Sequence, residues 1–500
     1  MLANQARVRF EHFLLFFIIL QPVLDLLTSL SIELLKVNAT VGIMVRFLIM
    51  AIGGIYILIQ AKERENRKFL IYLILLGAIL GIGFINNKLI KSPIVIAEEV
   101  KFIGKALYIY IMLGSYILAL KSLKKTVNIS DKVRNNIVYS TLIINAIMVI
   151  SITTSTDFGS YEWMKVGSRG WFYAGNELGS ILAIIFPIVV LYSIQKTKSV
   201  KHVLYWIPSL LMIYSLIQVG TKVGMGSIGA TLAAAIGIIV LQLLFDRKNP
   251  NKKSLALNAL IAIVLLAGVV GTFKKTPLAQ NMGIHNNYLA EQNVAHQGQK
   301  EQEIKDKLKK EQEIKEKEIK EKEIKEKEEK QHKVEKPEEK ARIEAEVKKE
   351  LEKEQKKENQ ENLIFSGRQV YEERHKQFFK EAPMSQKLFG MGYAGNFKYN
   401  EQKQPDPKLI EMDFHDWFYD FGIIGFALMM IPFIYYGLRI LIAFVTRFKE
   451  IFNVKYGMIS ASLVLALGIA YIAGHILTAP GVGIYFIVVL ACLIVDLEIE

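Results

Sequence analysis

Apolar residues gather into blocks of about 20, long enough to cross the hydrocarbon core of a bilayer, and nothing else in the chain constrains its fold as strongly. The blocks lie near 12–35, 41–60, 69–86, 101–120, 137–153, 173–194, 203–220, 225–245, 254–272, 417–445, 457–477 and 483–498. Backbone polar groups in lipid must be paired within their own segment, so each block is expected to be a helix. The expected fold is an all-α polytopic membrane protein with about 12 transmembrane helices. A length of 500 residues would suggest about three soluble domains, but 52% hydrophobic residues clustered in this way argue against that. The first block follows Arg7 and Arg9, as a signal peptide would. It lacks a small-residue cleavage site and runs too long, so it reads as a retained helix.

Lysine and arginine in the short turns set the orientation. One set of turns is rich in them, with Lys62, Arg64, Arg67 and Lys68 in one and Lys121, Lys124, Lys125, Lys132 and Arg134 in the next. The alternate turns hold only scattered cations such as Lys36, Lys88, Lys91, Lys165, Arg169 and Lys222. Both termini are therefore expected in the cytoplasm, in a multi-pass protein of the cell (cytoplasmic) membrane, with the loop between the ninth and tenth spans outside. The net charge of +14 belongs mostly to the cytoplasmic turns, so anionic lipid headgroups are the expected counterpart and nucleic acid is not. The single Cys492 excludes an intrachain disulfide and reads as a small apolar core residue.

Three parts follow: transmembrane helices 1–9 over 1–272, an extracytoplasmic loop over 273–416, and helices 10–12 over 417–500. Within the loop, 300–360 is a charged low-complexity insert in which Glu-Ile-Lys-Glu-Lys recurs at 313–317, 318–322 and 323–327. Each repeat sets Glu four residues before Lys, the favourable order on a helix. Isoleucine every five residues winds around that helix and makes no coiled-coil seam. The insert reads as a solvated helix, either a spacer of roughly 50 Å at 1.5 Å per residue or a tolerated repeat expansion.

Chemistry is sought where ionisable groups resist the apolar environment, since each costs roughly 2.5–3.5 kcal/mol at the bilayer centre. Those of interest are placed at the outer ends of the helices. They are Arg169 with Asn176 and Glu177 before and at the start of the sixth span, Lys222 before the eighth, Lys105 in the fourth, and Arg368 in the loop. A guanidinium grips phosphate oxygens with a planar fork and an ammonium supplies a point charge. Singly such groups suit lipid headgroups, and several at one rim suit a diphosphate. Before the tenth span, Glu411, Asp413, His415 and Asp416 crowd together. An imidazole flanked by carboxylates suits a general base, and the same acids suit the positive end of a helix dipole. His475 reads as a packed or pore-lining polar residue. There is no His-Glu-x-x-His, no P-loop, no Asp-x-Asp pair and no histidine cluster, so neither metal nor cofactor is expected.

The chain resembles the O-antigen ligase and O-antigen polymerase superfamily of bacterial membrane proteins. The resemblance rests on Ser366-Gly-Arg368, Leu388-Phe-Gly-Met-Gly392-Tyr and Glu411-Met-Asp413, followed by Gly422-Ile-Ile-Gly425. Asn176-Glu177, Gly-Thr-Lys222 and Gly474-His475…Pro480 fit the same pattern. It implies a glycosyltransferase-C-like architecture and transfer of glycan carried on undecaprenyl diphosphate at the outer membrane face. It also implies metal-independent chemistry, with Arg169, Lys222 and Arg368 (assisted by Lys105) on the diphosphate and His415, Asp413 or Glu411 as base. Here Lys222 stands where many relatives have arginine, and His415-Asp416 stands for a common His-Asn pair. Polymerisation of lipid-linked repeats is the first expectation and ligation to a wall, lipid or protein acceptor the second. Membrane lipids and other polysaccharide assembly proteins are the partners implied. A transporter or flippase is the reading of another class, and it should show two related halves, which the sequence lacks.

Overall fold

A computed structural model describes residues 2–36, 40–160, 166–246, 250–284, 349, 353 and 365–499. The helices are α1 Leu2–Glu33, α2 Val41–Gln60, α3 Arg67–Ile90, α4 Ile96–Leu123, α5 Ile129–Thr153, α6 Gly175–Lys196, α7 Ile207–Val219, α8 Lys222–Phe245 and α9 Lys252–Thr272. After the loop come α10 Arg368–Glu381, α11 Met384–Phe389, α12 Asp413–Thr446, α13 Phe448–Ile451, α14 Val454–Ile472 and α15 Pro480–Asp496. Among the described residues the only β pairing is a single bridge between Tyr399 and Pro405. The expected insert helix and its repeats, along with Lys165, fall outside the described residues.

Among the described residues, 11 helices are long and apolar enough to cross a membrane, which makes this a multi-pass membrane protein. The twelfth expected span is α15, and its 17 residues rise only about 26 Å, less than the roughly 30 Å hydrocarbon core. It tolerates this because it is enclosed by α4, α6, α5 and α2, with nearly every side chain buried. In α6, likewise central, 89% of the apolar window is buried, against 17% in α3 and α12, whose leucines and isoleucines point outward. Cys492 is buried in α15, as a small core residue should be.

The chain divides into two compact units, one of residues 1–281 with 370–500 and one of residues 282–369. Residues 370–412 therefore pack with the spans, although they belong to the expected outer loop. Their anchor is a buried ion pair, with Lys91 Nζ 2.8 Å from Glu99 Oε1. Lys91 also donates to Tyr393 O at 2.7 Å, and Tyr393 N donates to Glu99 Oε2 at 2.8 Å. Gly392 is required here, because a Cβ would stand 2.6 Å from the Glu99 carboxylate. Replacing Lys91 by Met leaves Glu99 charged and unpaired, so the thermal unfolding midpoint in detergent should fall by the equivalent of about 3–5 kcal/mol. Adding Glu99→Leu should restore much of it, and an unchanged midpoint in the single variant would refute the anchor.

α12 begins as a distinct segment. Asp413 and Asp416 suit its N-terminal turn, and the helix breaks at Gly422, whose φ of 70° and ψ of −179° are open only to glycine. Against this break lies the Leu388–Gly392 turn: Met391 N donates to Tyr419 O at 3.0 Å and Gly392 N to Asp420 O at 2.9 Å. The two glycine motifs that carried the resemblance thus touch each other.

Candidate active site

The loop-bearing end of the bundle gathers most of the residues expected to act. Asp413 is fully buried, and its four acceptor positions are filled. Oδ1 accepts from His475 N at 3.0 Å and Thr478 Oγ1 at 2.6 Å, and Oδ2 from Ile476 N at 2.8 Å and Leu477 N at 2.7 Å. Asp416 does the same for the preceding segment, accepting from Ile410 N at 2.8 Å and Glu411 N at 3.1 Å. Both acids therefore shape backbone: one holds the α14–α15 connection, the other the approach to α12.

Between these two clamped segments Glu411 faces His475, with Oε2 3.7 Å from Nε2. Both adopt left-handed backbone, at φ 65° and 63°, a conformation that L residues hold only when their surroundings impose it. Next to them Gly474 passes so close that a Cβ would lie 2.3 Å from Glu411 O. Burial alone would raise the Glu411 carboxyl, but His475 and Lys408, whose Nζ is 2.6 Å from Oε1, bring it down to about 2. Burial alone would lower the His475 imidazole, but Glu411, Glu177 and Asp413 outweigh it and leave the group raised. His475 is packed, as expected, and what it packs against is the charged group.

His415 lies on the α12 segment with Nε2 3.5 Å from Glu372 Oε1 and its ring against Tyr471. Glu177, in the first turn of α6, is within electrostatic range of Arg46, Lys105 and His475. Neither it nor Lys105 makes a hydrogen bond or ion pair among the described residues. Lys105 sits nine residues into α4, about 14 Å along the helix from its loop-bearing end. Asn176 precedes Glu177 in the same turn.

Arg169 is engaged at the end of α1, with Nη2 3.0 Å from Glu33 Oε1 and Nη1 donating to Tyr173 O. Lys222 opens α8 behind Thr221, which caps the helix by accepting from Gly224 N at 3.1 Å. The Thr221 hydroxyl lies against Gly179, two residues beyond Glu177. Arg368 opens α10 and donates to Phe365 O at 3.4 Å, in the second unit.

Sequence reasoning missed a buried pair inside the spans. Arg46 Nη2 lies 2.7 Å from Asp25 Oδ1, and Arg46 Nε donates to Gln21 Oε1 at 2.9 Å. This corrects the expectation that all the ionisable groups of interest fall at helix ends. A lone arginine in an apolar block was the available signal, and hydropathy averaged over the block conceals it. Arg46 fits beneath α15 because Gly481 has no side chain: a Cβ would stand 3.1 Å from its guanidinium carbon. Among the described residues no three His, Cys, Asp or Glu side chains converge as metal ligands would. A separate cavity of about 210 Å³, lined by Lys198, Gln242 and Lys455 among others, lies at the opposite end of the bundle.

A bundle of membrane-length helices with carboxylates, imidazoles and cations gathered under one loop-bearing end defines a multi-pass membrane protein with a polar site. The family described as O-antigen ligase like membrane protein matches residues 7–500, and the chain belongs to it. No curated protein and no solved structure matches the chain. Membership makes this a membrane enzyme of surface polysaccharide assembly, one that transfers glycosyl groups and acts on lipid-linked glycan, as the resemblance implied.

Proposed function

We propose that the loop-bearing end faces outward from the cytoplasmic membrane and that the protein there polymerises glycan units carried on undecaprenyl diphosphate. The observation that carries this reading is Lys105, an ammonium without a hydrogen bond or ion pair among the described residues, inside a membrane-length helix. Such a charge is expensive in lipid and calls for a mobile anion. The diphosphate of a lipid-linked donor supplies one.

Arg169 and Lys222 complete the diphosphate grip, and Arg46 adds positive potential from within the bundle. Neutralised in this way, diphosphate leaves the anomeric carbon without needing a proton, so cations replace a general acid and a metal. The acceptor hydroxyl attacks from the opposite side, with inversion. For its proton, His415 beside Glu372 and the Glu411 carboxylate are the groups with acceptor capacity among those expected from sequence. Asp413 has its capacity filled, Asp416 is committed to the Ile410 and Glu411 amides, and both serve as positioning residues. Asn176 and Glu177 line the donor side.

The test uses purified protein, a synthetic undecaprenyl-diphosphate-linked repeat unit and EDTA, with products read by mass spectrometry. A growing ladder is expected. Transfer only after a second acceptor is added would make the enzyme a ligase. Lys105→Gln should lower kcat by about 10²–10³-fold with an unchanged unfolding midpoint. Wild-type turnover in that variant would remove Lys105 from the diphosphate site and leave the reading without its main support.

A further inference from the structure

The segments 408–411 and 474–478 are remote in sequence, yet the chain invests heavily in holding them together. Two buried aspartates supply six hydrogen bonds to them. Two side-chain-bearing residues are kept in left-handed backbone, at about 1–3 kcal/mol each. The product of this arrangement is a single contact, Glu411 against His475. His475 Nε2 is buried with the Glu411 carboxylate 3.7 Å away, which keeps the ring proton on that nitrogen and the lone pair on Nδ1.

We propose that His475 Nδ1, with Nε2–H steered by the Glu411 carboxylate, takes the proton from the acceptor hydroxyl, and that Asp413 positions the ring. This rests on the glycosyl-transfer reading above. In the step, the hydroxyl oxygen forms its bond to the anomeric carbon. The bond from that carbon to the phosphate oxygen breaks, and its electron pair leaves with the diphosphate. The hydroxyl proton moves to Nδ1 of a neutral imidazole that carries its own proton on Nε2, facing Glu411. Glu411 then offsets the imidazolium until the proton is lost to water. The groups facing His475 are Glu411 from the 408–411 segment, Asp413 and Asp416 from α12, and Glu177 from α6. Lys105 on α4 faces the same Glu177 and Asp413. Acids predominate near the ring, an environment suited to an imidazole that gains a proton during turnover.

The base must be neutral to act, and its neighbours raise His475 above 6.5. The wild-type kcat/KM should therefore rise with pH through a limb above 6.5 and level off beyond it. Removing the Glu411 charge withdraws one of the influences that raise the group, so in Glu411→Gln the limb should move to lower pH while KM for the donor holds. His475→Asn, which tolerates left-handed backbone, should lose about 10²–10⁴-fold and show no limb. If His475→Asn keeps the limb and His415→Ala loses it, His415 is the base and the proposal fails.

A second measurement needs no turnover. In ¹⁵N-histidine-labelled protein, the imidazole signal missing from His475→Asn should titrate above 6.5 in the wild type and lower in Glu411→Gln. An unshifted signal overturns the pairing itself. A shifted signal beside a wild type that turns over no lipid-diphosphate donor supports the pair and removes the transfer reading. Turnover with an unmoved limb in both variants does the reverse.

Discussion

Asp413→Ala should both destabilise the protein and abolish its activity. The substitution deletes four hydrogen bonds and leaves the N–H groups of His475, Ile476 and Leu477 without acceptors. Ile476 and Leu477 are fully buried, so water cannot replace the carboxylate. Each orphaned donor costs about 1–3 kcal/mol, which together comes to roughly 3–9 kcal/mol. The loop carrying His475 would relax out of its left-handed conformation, and the contact with Glu411 would be lost with it. Asp413→Asn should fall between, because its amide NH₂ must face a donor where an oxygen stood. Unfolding midpoints in detergent, taken beside turnover of the lipid-linked donor, distinguish the roles. A lowered midpoint with lost turnover is expected. A wild-type midpoint with lost turnover would return Asp413 to the role of base.

Gly422→Ala should prevent the protein from accumulating in folded form. The backbone there is in a region that side-chain-bearing residues avoid, and the new Cβ would stand 2.3 Å from Gly390 N and 2.7 Å from Leu388 O. Backbone on both sides leaves nothing flexible to yield, since Gly390 is itself pressed within 2.1 Å of Asp420 O by the same measure. The expected loss exceeds about 4 kcal/mol, within the range tied to a specific structural fault. Gly437→Ala is the matched control. It lies further along α12 with nothing within 4 Å of its Cβ, and alanine there should gain up to about 1 kcal/mol in helix propensity. Size-exclusion profiles of fluorescently tagged variants would read both. A monodisperse Gly422→Ala at wild-type yield would refute the close backbone packing.

The spans were legible because lipid imposes a length and a composition on each segment separately. The second expected span, 41–60, coincides with α2. Where boundaries moved, a remote or local partner had absorbed a charge. The fourth helix begins at Ile96, not 101, because Glu99 is buried against Lys91. The fifth begins at Ile129, not 137, because Arg134 is held by Asp131 at 2.7 Å and by Gln195. A hydropathy pattern treats such residues as solvent-facing ends and stops short of them.

The site divides along the same line. By itself the sequence determined the class of protein, the family, and the positions of the carboxylates, imidazoles and glycines, because these depend on what each segment contains. It marked Asp413 and His415 as chemically notable and passed over Asp25, Arg46 and the role of His475. Only the tertiary structure decided that Asp413 is saturated, that Glu177 and Lys105 lack direct partners among the described residues, and that His475 meets Glu411. The partner of Asp413 lies 62 residues away, and that of Arg46 lies 21 residues back on a neighbouring helix. An ionisable group takes its character from what approaches it, and in a helical bundle that approach is set by how the helices pack together.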